Sequence, residues 1–361
     1  MTSTSASGQS PLDVEDLRAR VQKTVDDFLA AQEPLLESIS GDLAPLSDAL
    51  RDLLSGGKRL RPAFAYWGWR ATGGADCHEA IVAASSLEFL QACALIHDDV
   101  MDGSDTRRGK PAAHRRFATL HRGSSWLGSP DNFGVGAAIL LGDLCLSWAD
   151  EMLLTCGLDS VALARGKAVY DVMRTELMAG QYLDLLEQAV GGGSVDRALT
   201  VVRYKSAKYT IERPLHLGAA LAGGGPDAMA ALSDYGLPLG EAFQLRDDVL
   251  GVFGDPSQTG KPAGDDLREG KRTVLVAVAV ERSGPTQAAV VRRHLGDPGL
   301  TPEGVAELRE VITDTGAIDR VESMIAELTE RAFAALASPL LDPAAVPVLE
   351  GLAIAATSRS V

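Results

Sequence analysis

Two long apolar runs constrain this chain more than anything else in it, because each ends in a doubled aspartate. The first closes as His97-Asp98-Asp99-Val100-Met101-Asp102-Gly103, the second as Gln244-Leu245-Arg246-Asp247-Asp248-Val249-Leu250-Gly251. Over 79–102 apolar residues fall on nearly every side of a helical projection, which predicts a central buried helix. On such a helix Asp98 and Asp102 stand one above the other on one face. Gly103 reads as the residue that closes the helix, so the carboxylates crowd its last turn. That is the unfavourable end, since the terminal carbonyls already carry partial negative charge. A local rule broken twice in the same way predicts a compensating cation. Carboxylate oxygen without a Cys or His ligand set points to hard Mg²⁺, held with water and a substrate phosphate by Asp98, Asp99, Asp102, Asp247 and Asp248.

Helical periodicity accounts for most of the remaining chain. It predicts helices over 13–31, 43–54, 62–70, 137–156, 161–189, 195–221 and 228–252, with more beyond 272. Gly, Ser and Pro mark loops at 122–135 and 254–272. Residues 1–12 read as a disordered tail, and 13–361 as the folded region. Apolar residues make up 46% of the chain, aromatics only 5%, and no alternating run is long enough to demand a sheet. The fold class is therefore all-α.

A formal charge of −15 makes the surface as a whole repel nucleic acid and anionic membranes. An anionic ligand must then be captured by a local basic cluster or by metal. Cys77, Cys93, Cys145 and Cys156 form neither a C-x-x-C pair nor a zinc-like set with histidine, so they read as small buried hydrophobes in a reducing cytoplasm. The first ten residues carry no signal-peptide pattern, and no uncharged stretch suggests a spanning helix, so a soluble protein is expected.

Local basic clusters do exist. Gly56-Gly57-Lys58-Arg59-Leu60-Arg61-Pro62 offers three cations at a glycine-rich helix start, where backbone N–H groups add to an anion site. Arg107-Arg108 follows the first acidic motif closely. Metal bridging and bidentate arginine together are a common way to hold a diphosphate. A solvated helix end or a solvated basic turn would explain any one of these motifs alone. Two acidic helices and two basic clusters in an acidic protein describe one pocket for two diphosphates.

The ordered set 56–62, 98–102, Arg107-Arg108 and Phe243-Gln244-Leu245-Arg246-Asp247-Asp248 resembles the trans-isoprenyl diphosphate synthases, or polyprenyl synthetases, over roughly 40–340. The resemblance implies a single large helical bundle around a central cavity, and a homodimer. It implies a Mg²⁺-dependent prenyltransferase, with three Mg²⁺ ions, that joins isopentenyl diphosphate to an allylic diphosphate (dimethylallyl, geranyl or farnesyl). Lys58, Arg61, Gln91 and Arg108 match positions that bind isopentenyl diphosphate. Asp98, Asp102 and Arg107 match those that hold the allylic diphosphate, the acids through metal. Lys205, Ser206 and Gln244 fall near the developing carbocation and the leaving diphosphate, with Ser206 where threonine is more usual. Lys261 and Lys271 match later lysines near the diphosphates.

The second acidic motif departs from the family pattern, because Gly251 stands where a further aspartate is usual, with Asp255 four residues on. Product length is partly readable. Cys93 and Ala94 lie five and four residues before Asp98, about 6 to 7.5 Å deeper along the helix axis. Both are small where bulky aromatics would stop growth early, and Phe89, a further turn down, is the expected floor. The resemblance thus favours a C20 product, geranylgeranyl diphosphate. Two other readings use the same motifs: a class I terpene cyclase, which has no use for Lys58, Arg61 and Arg108, and a non-catalytic regulatory subunit of a prenyl synthase, which Gly251 leaves open.

Overall fold

The computed structural model describes residues 10–191, 193–254 and 264–357. Helices make up nearly all of it. In chain order they are α1 (Leu17–Ile39), α2 (Ala44–Leu54), α3 (Leu60–Ala71), α4 (His78–Asp102), α5 (Ala113–Gly123), α6 (Pro130–Leu154), α7 (Ser160–Val190), α8 (Val195–Val201), α9 (Arg213–Ala222) and α10 (Pro226–Phe253). Six further helices follow between Asp265 and Thr357. The all-α expectation holds. Among the described residues the strands are a two-residue pair, β1 (Thr106–Arg107) and β2 (Lys110–Pro111), antiparallel with Arg107 opposite Lys110. Arg108 and Gly109 both have positive φ (52° and 73°), the backbone of a tight two-residue hairpin turn.

The predicted tail is too long at its inner end. Pro11–Asp16 forms a 3₁₀ turn capped by Ser10, with Leu12 buried, because Leu12 supplies apolar surface that the core can cover. Helix α5 was missed, since its polar, basic sequence hides the buried face made by His114, Phe117, Ala118 and His121. The segment read as one helix over 195–221 is three pieces. Between α8 and α9 the chain widens into a π-helix, Val202–Glu212, a form that recurs at functional sites.

Packing follows from small residues where helices meet. A Cβ on Gly218 would lie 1.8 Å from the Ala65 carbonyl oxygen, and one on Gly68 would lie 2.3 Å from that of Leu215, so α3 and α9 touch backbone to backbone. Helix α4 runs through the main core, packed on α6, α3 and α1. A second apolar cluster joins α10 to the helices Val274–Arg282, Pro302–Asp314 and Ala317–Ala335.

The expectation about spanning segments needs correcting as to length. Both α4 and α6 are long and apolar enough to cross a membrane by composition. The apolar part of α4 is 72% buried, as a core helix of a folded protein would be, whereas that of α6 is only 39% buried. Phe133, Ile139, Leu140 and Leu154 of α6 are all exposed.

Candidate active site

Helices α3, α4, α7 and α10 and the π-helix enclose a cavity of about 850 Å³. Lys58, Arg61, Gln91, Ala94, Asp98, Arg107, Arg108, Lys205, Ser206, Gln244, Asp247, Asp248 and Lys271 all line it. Residues from six separate stretches of sequence thus converge on one space. Lys261 lies outside the described residues, as does Asp255.

The end of α4 is built as the sequence predicted. Gly103 adopts the left-handed conformation (φ 67°) and its N–H bonds the Asp99 carbonyl, ending the helix after Asp102. Asp98 accepts from Gln181 Nε2 (3.0 Å) and Lys205 Nζ (3.2 Å). Burial pushes its carboxyl up, but Lys205, Lys271 and Arg107 outweigh burial and hold it down at about 2. Asp102 is treated differently. Both of its oxygens are buried without a hydrogen bond, and Lys271 Nζ stands 3.5 Å from Oδ2. Burial first, and Asp98 second, push its carboxyl up to about 6.

Asp99 sits differently from Asp98. It is almost fully buried and accepts from Arg107 Nε at 3.0 and 3.3 Å, as well as from the other arm of the guanidinium. One residue on from Asp98 it is turned about 100° around the helix, which takes it out of the cavity wall. Its work is to hold Arg107 beside Asp98, 3.7 Å away.

Lysines occupy the acidic space. Lys205 bridges Asp98 and Asp184 (2.6 Å), and Lys271 reaches Glu269 (2.7 Å), Asp266 (3.3 Å) and Asp102. Burial lowers the Lys271 ammonium, but Asp266, Glu269 and Asp102 raise it well above the ordinary value, so it stays charged. Gln181 and Asp184 were missed. The signal was there, as two polar residues three apart on one face of α7, next to Gly180. A Cβ on Gly180 would lie 2.3 Å from the Lys205 backbone nitrogen, so this glycine lets α7 press against the π-helix.

On α10, Asp248 is buried and accepts from Gln244 Nε2 (2.7 Å). Burial leads the causes that push its carboxyl well above the usual range. At position 251 an Asp266 carboxylate oxygen reaches to 1.9 Å from where a Cβ would sit. Asp266 comes from the helix Asp265–Glu269 and lines the cavity. A carboxylate therefore stands near the place that the usual aspartate would fill, supplied from a different stretch of sequence.

The basic wall faces these acids. Arg61 donates to Thr210 Oγ1 (2.8 Å), and its guanidinium lies 4.2 Å over the centre of the Tyr209 ring. Arg108 donates to the carbonyls of Leu53 (3.1 Å) and Gly56 (2.9 Å). Arg59 departs from its expected place among the exposed cations of that turn: its side chain is 3% exposed and paired with Glu88. Ala94 reaches the cavity wall, while Cys93 and Phe89 are buried beneath. Phe89 stacks edge-on against Phe28 (5.1 Å) and Trp148 (6.2 Å).

Among the described residues no three Asp, Glu, Cys or His side chains gather tightly enough to enclose a metal unaided. That arrangement still suits Mg²⁺, which keeps several waters and takes one or two carboxylates plus substrate phosphate. The buried, hydrogen-bond-free oxygens of Asp102 are what such an ion would satisfy.

Known proteins resemble this chain over most of its length. The family model described as Polyprenyl synthetase matches residues 44–313. A geranylfarnesyl diphosphate synthase of Aeropyrum pernix is 34% identical over 291 residues, 79% of this chain and 84% of that protein. An octaprenyl diphosphate synthase of Escherichia coli is 30% identical over 322 residues, 87% and 90% of the two chains. A crystal structure of geranylgeranyl pyrophosphate synthase from Corynebacterium glutamicum, complexed with isoprenyl diphosphate and magnesium, superposes with a TM-score of 0.93. It is 45% identical, and the match covers 97% of this chain and 100% of that one. With the motifs in order and the cavity they line, this chain belongs to the polyprenyl synthetase family.

Proposed function

We propose that this protein condenses isopentenyl diphosphate with an allylic diphosphate and releases a prenyl diphosphate of C20 length. The observation that carries this reading is that the acidic helix ends and the Lys58, Arg61 and Arg108 wall line one cavity. A cyclase would need only the acidic half.

The residues divide the work. Asp98, Asp102, Asp247 and Asp248 would hold Mg²⁺ with the allylic diphosphate, and when bound the metal would neutralise charge on the leaving group. Arg107, Lys205 and Lys271 add fixed positive charge to that same group. Lys58, Arg61, Gln91 and Arg108 orient isopentenyl diphosphate so that its double bond faces the carbon that ionises. Ser206 and Gln244 line the space where the allylic cation forms, and Leu95, Leu177 and Phe243 keep water from it. Proton loss to the released diphosphate completes the step, and no protein nucleophile is needed.

Incubation with Mg²⁺, isopentenyl diphosphate and each allylic primer, with products sized by mass spectrometry, tests the reading. A prenyl alcohol of C20 after dephosphorylation supports it. Hydrocarbon from an allylic diphosphate alone would instead show a cyclase, and no turnover at all would favour a regulatory subunit.

We read length selection at Ala94, supported by its place on the cavity wall, with Phe89, packed on Phe28 and Trp148, as the floor below. Ala94→Phe is expected to shorten the product by at least one five-carbon unit while elongation continues. An unchanged product would move the floor elsewhere. Cys93→Phe is the less clean variant, because Cys93 Sγ packs 3.7 Å from His97 Nδ1 rather than on the cavity wall. The exposed apolar face of α6 is read as the contact with a second copy of the chain, and light scattering of the purified protein would give the mass that decides it.

A further inference from the structure

The basic wall stands on a buried pair that the chemistry above leaves unused. Arg59 caps the start of α3 in the left-handed conformation (φ 55°), a costly choice for a residue with a side chain. Its guanidinium turns inward and donates to three partners: Glu88 Oε2 on α4, Gln22 Oε1 on α1 and the carbonyl of Leu54 at the end of α2. Glu88 is 3% exposed, and its other oxygen, Oε1, is buried without a hydrogen bond. Arg59 itself, with Lys58, Leu60 and Arg61, lines the cavity, although its guanidinium is turned to the buried partners. Arg108 is tied to the same turn through Gly56 and Leu53, and a Cβ on Gly57 would lie 3.2 Å from its guanidinium.

Three features argue that this arrangement does more than fill space. Buried ion pairs are often no more stabilising than apolar residues of the same volume. The strained backbone at Arg59 persists only because the side chain is fixed from several directions. Glu88 also supports charge at the wall: burial lowers the Arg108 guanidinium, Glu88 raises it, and Arg59, Arg107 and Arg61 lower it again.

We propose that Glu88, acting through Arg59, is a positioning residue that fixes the 56–61 turn so that Lys58, Arg61 and Arg108 present one diphosphate-shaped surface. This inference rests on reading that wall as the isopentenyl diphosphate subsite. The pair joins the loop that receives one substrate to the helix whose far end carries Asp98.

Glu88→Gln keeps the shape and removes the charge. Its KM and calorimetric Kd for isopentenyl diphosphate are expected to rise roughly ten-fold, as when one charge-assisted contact is misplaced. Its kcat and its KM for the allylic substrate should stay within about two-fold, a split that general loosening of the fold would not produce. The double variant Arg59→Met with Glu88→Met guards against simple unfolding. It should keep the wild-type circular dichroism spectrum and melting temperature, yet bind isopentenyl diphosphate as weakly as Glu88→Gln. Wild-type affinity in either folded variant would overturn the proposal while leaving the subsite in place. If the wild-type protein itself fails to bind isopentenyl diphosphate, the subsite reading falls and takes this inference with it.

Discussion

Asp98→Ala is expected to lower turnover by at least about a thousand-fold, the loss typical when a principal charge-stabilising group is removed from an active site. Asp98 is the meeting point of the acidic wall. It accepts from Gln181 and Lys205, lies 3.7 Å from Arg107 and stands one helical turn above Asp102. Deleting it leaves Lys205 with Asp184 as its remaining partner and Arg107 with Asp99, so the local fold has other anchors. Single-turnover assays with geranyl diphosphate would separate loss of chemistry from loss of binding. Turnover within ten-fold of wild type would remove Asp98 from the metal-holding role.

Asp102→Asn is expected to act in opposite directions on activity and stability. Turnover should fall by at least about a hundred-fold, since the second carboxylate of the same helix turn is lost. The metal-free protein should melt at the same temperature or higher. Asp102 is buried, receives no hydrogen bond and sits beside the charge of Asp98. Its carboxyl is raised from 3.8 to about 6, so the folded state holds the proton more tightly than the unfolded chain does. The associated stability is present below about pH 4 and is lost as pH rises through about 6. Asparagine carries no charge, so the variant should lack that decline. Lys271 keeps Glu269 and Asp266, which limits the cost on its side. Thermal unfolding in EDTA at pH 5 and pH 8 reads the effect, and a melting temperature well below wild type at pH 8 would contradict it.

The parts of the site that were legible in the sequence are those fixed by one helix or one turn. The acids of α4, the Gly103 closure, the Arg107-Arg108 pair and the Gln244–Asp248 face each follow from spacing of three or four residues. What escaped depends on partners far apart in the chain. Arg59 looked like a third surface cation because nothing local shows Glu88 waiting 29 residues later. The pairing of Asp99 with Arg107 depends on the hairpin that brings the arginine back onto α4. Gly251 looked like a missing carboxylate, whereas an Asp266 carboxylate from a distant stretch reaches into the space beside it. Helix α5 escaped for a different reason, as its basic, polar composition masks the buried face of His114, Phe117, Ala118 and His121.

The π-helix at Val202–Glu212 has one further consequence. Each of its turns holds about one residue more than an α-helical turn. Removing a single residue without a change in winding would rotate everything beyond the gap by about a quarter-turn against everything before it. Lys205 and Ser206 face the acidic wall, while Tyr209 and Thr210, one turn on, brace Arg61 of the basic wall. Those two pairs could not both keep their places after such a deletion. The extra residue acts as a phase setting between the two halves of the pocket, so this stretch should tolerate substitution far better than any change in length.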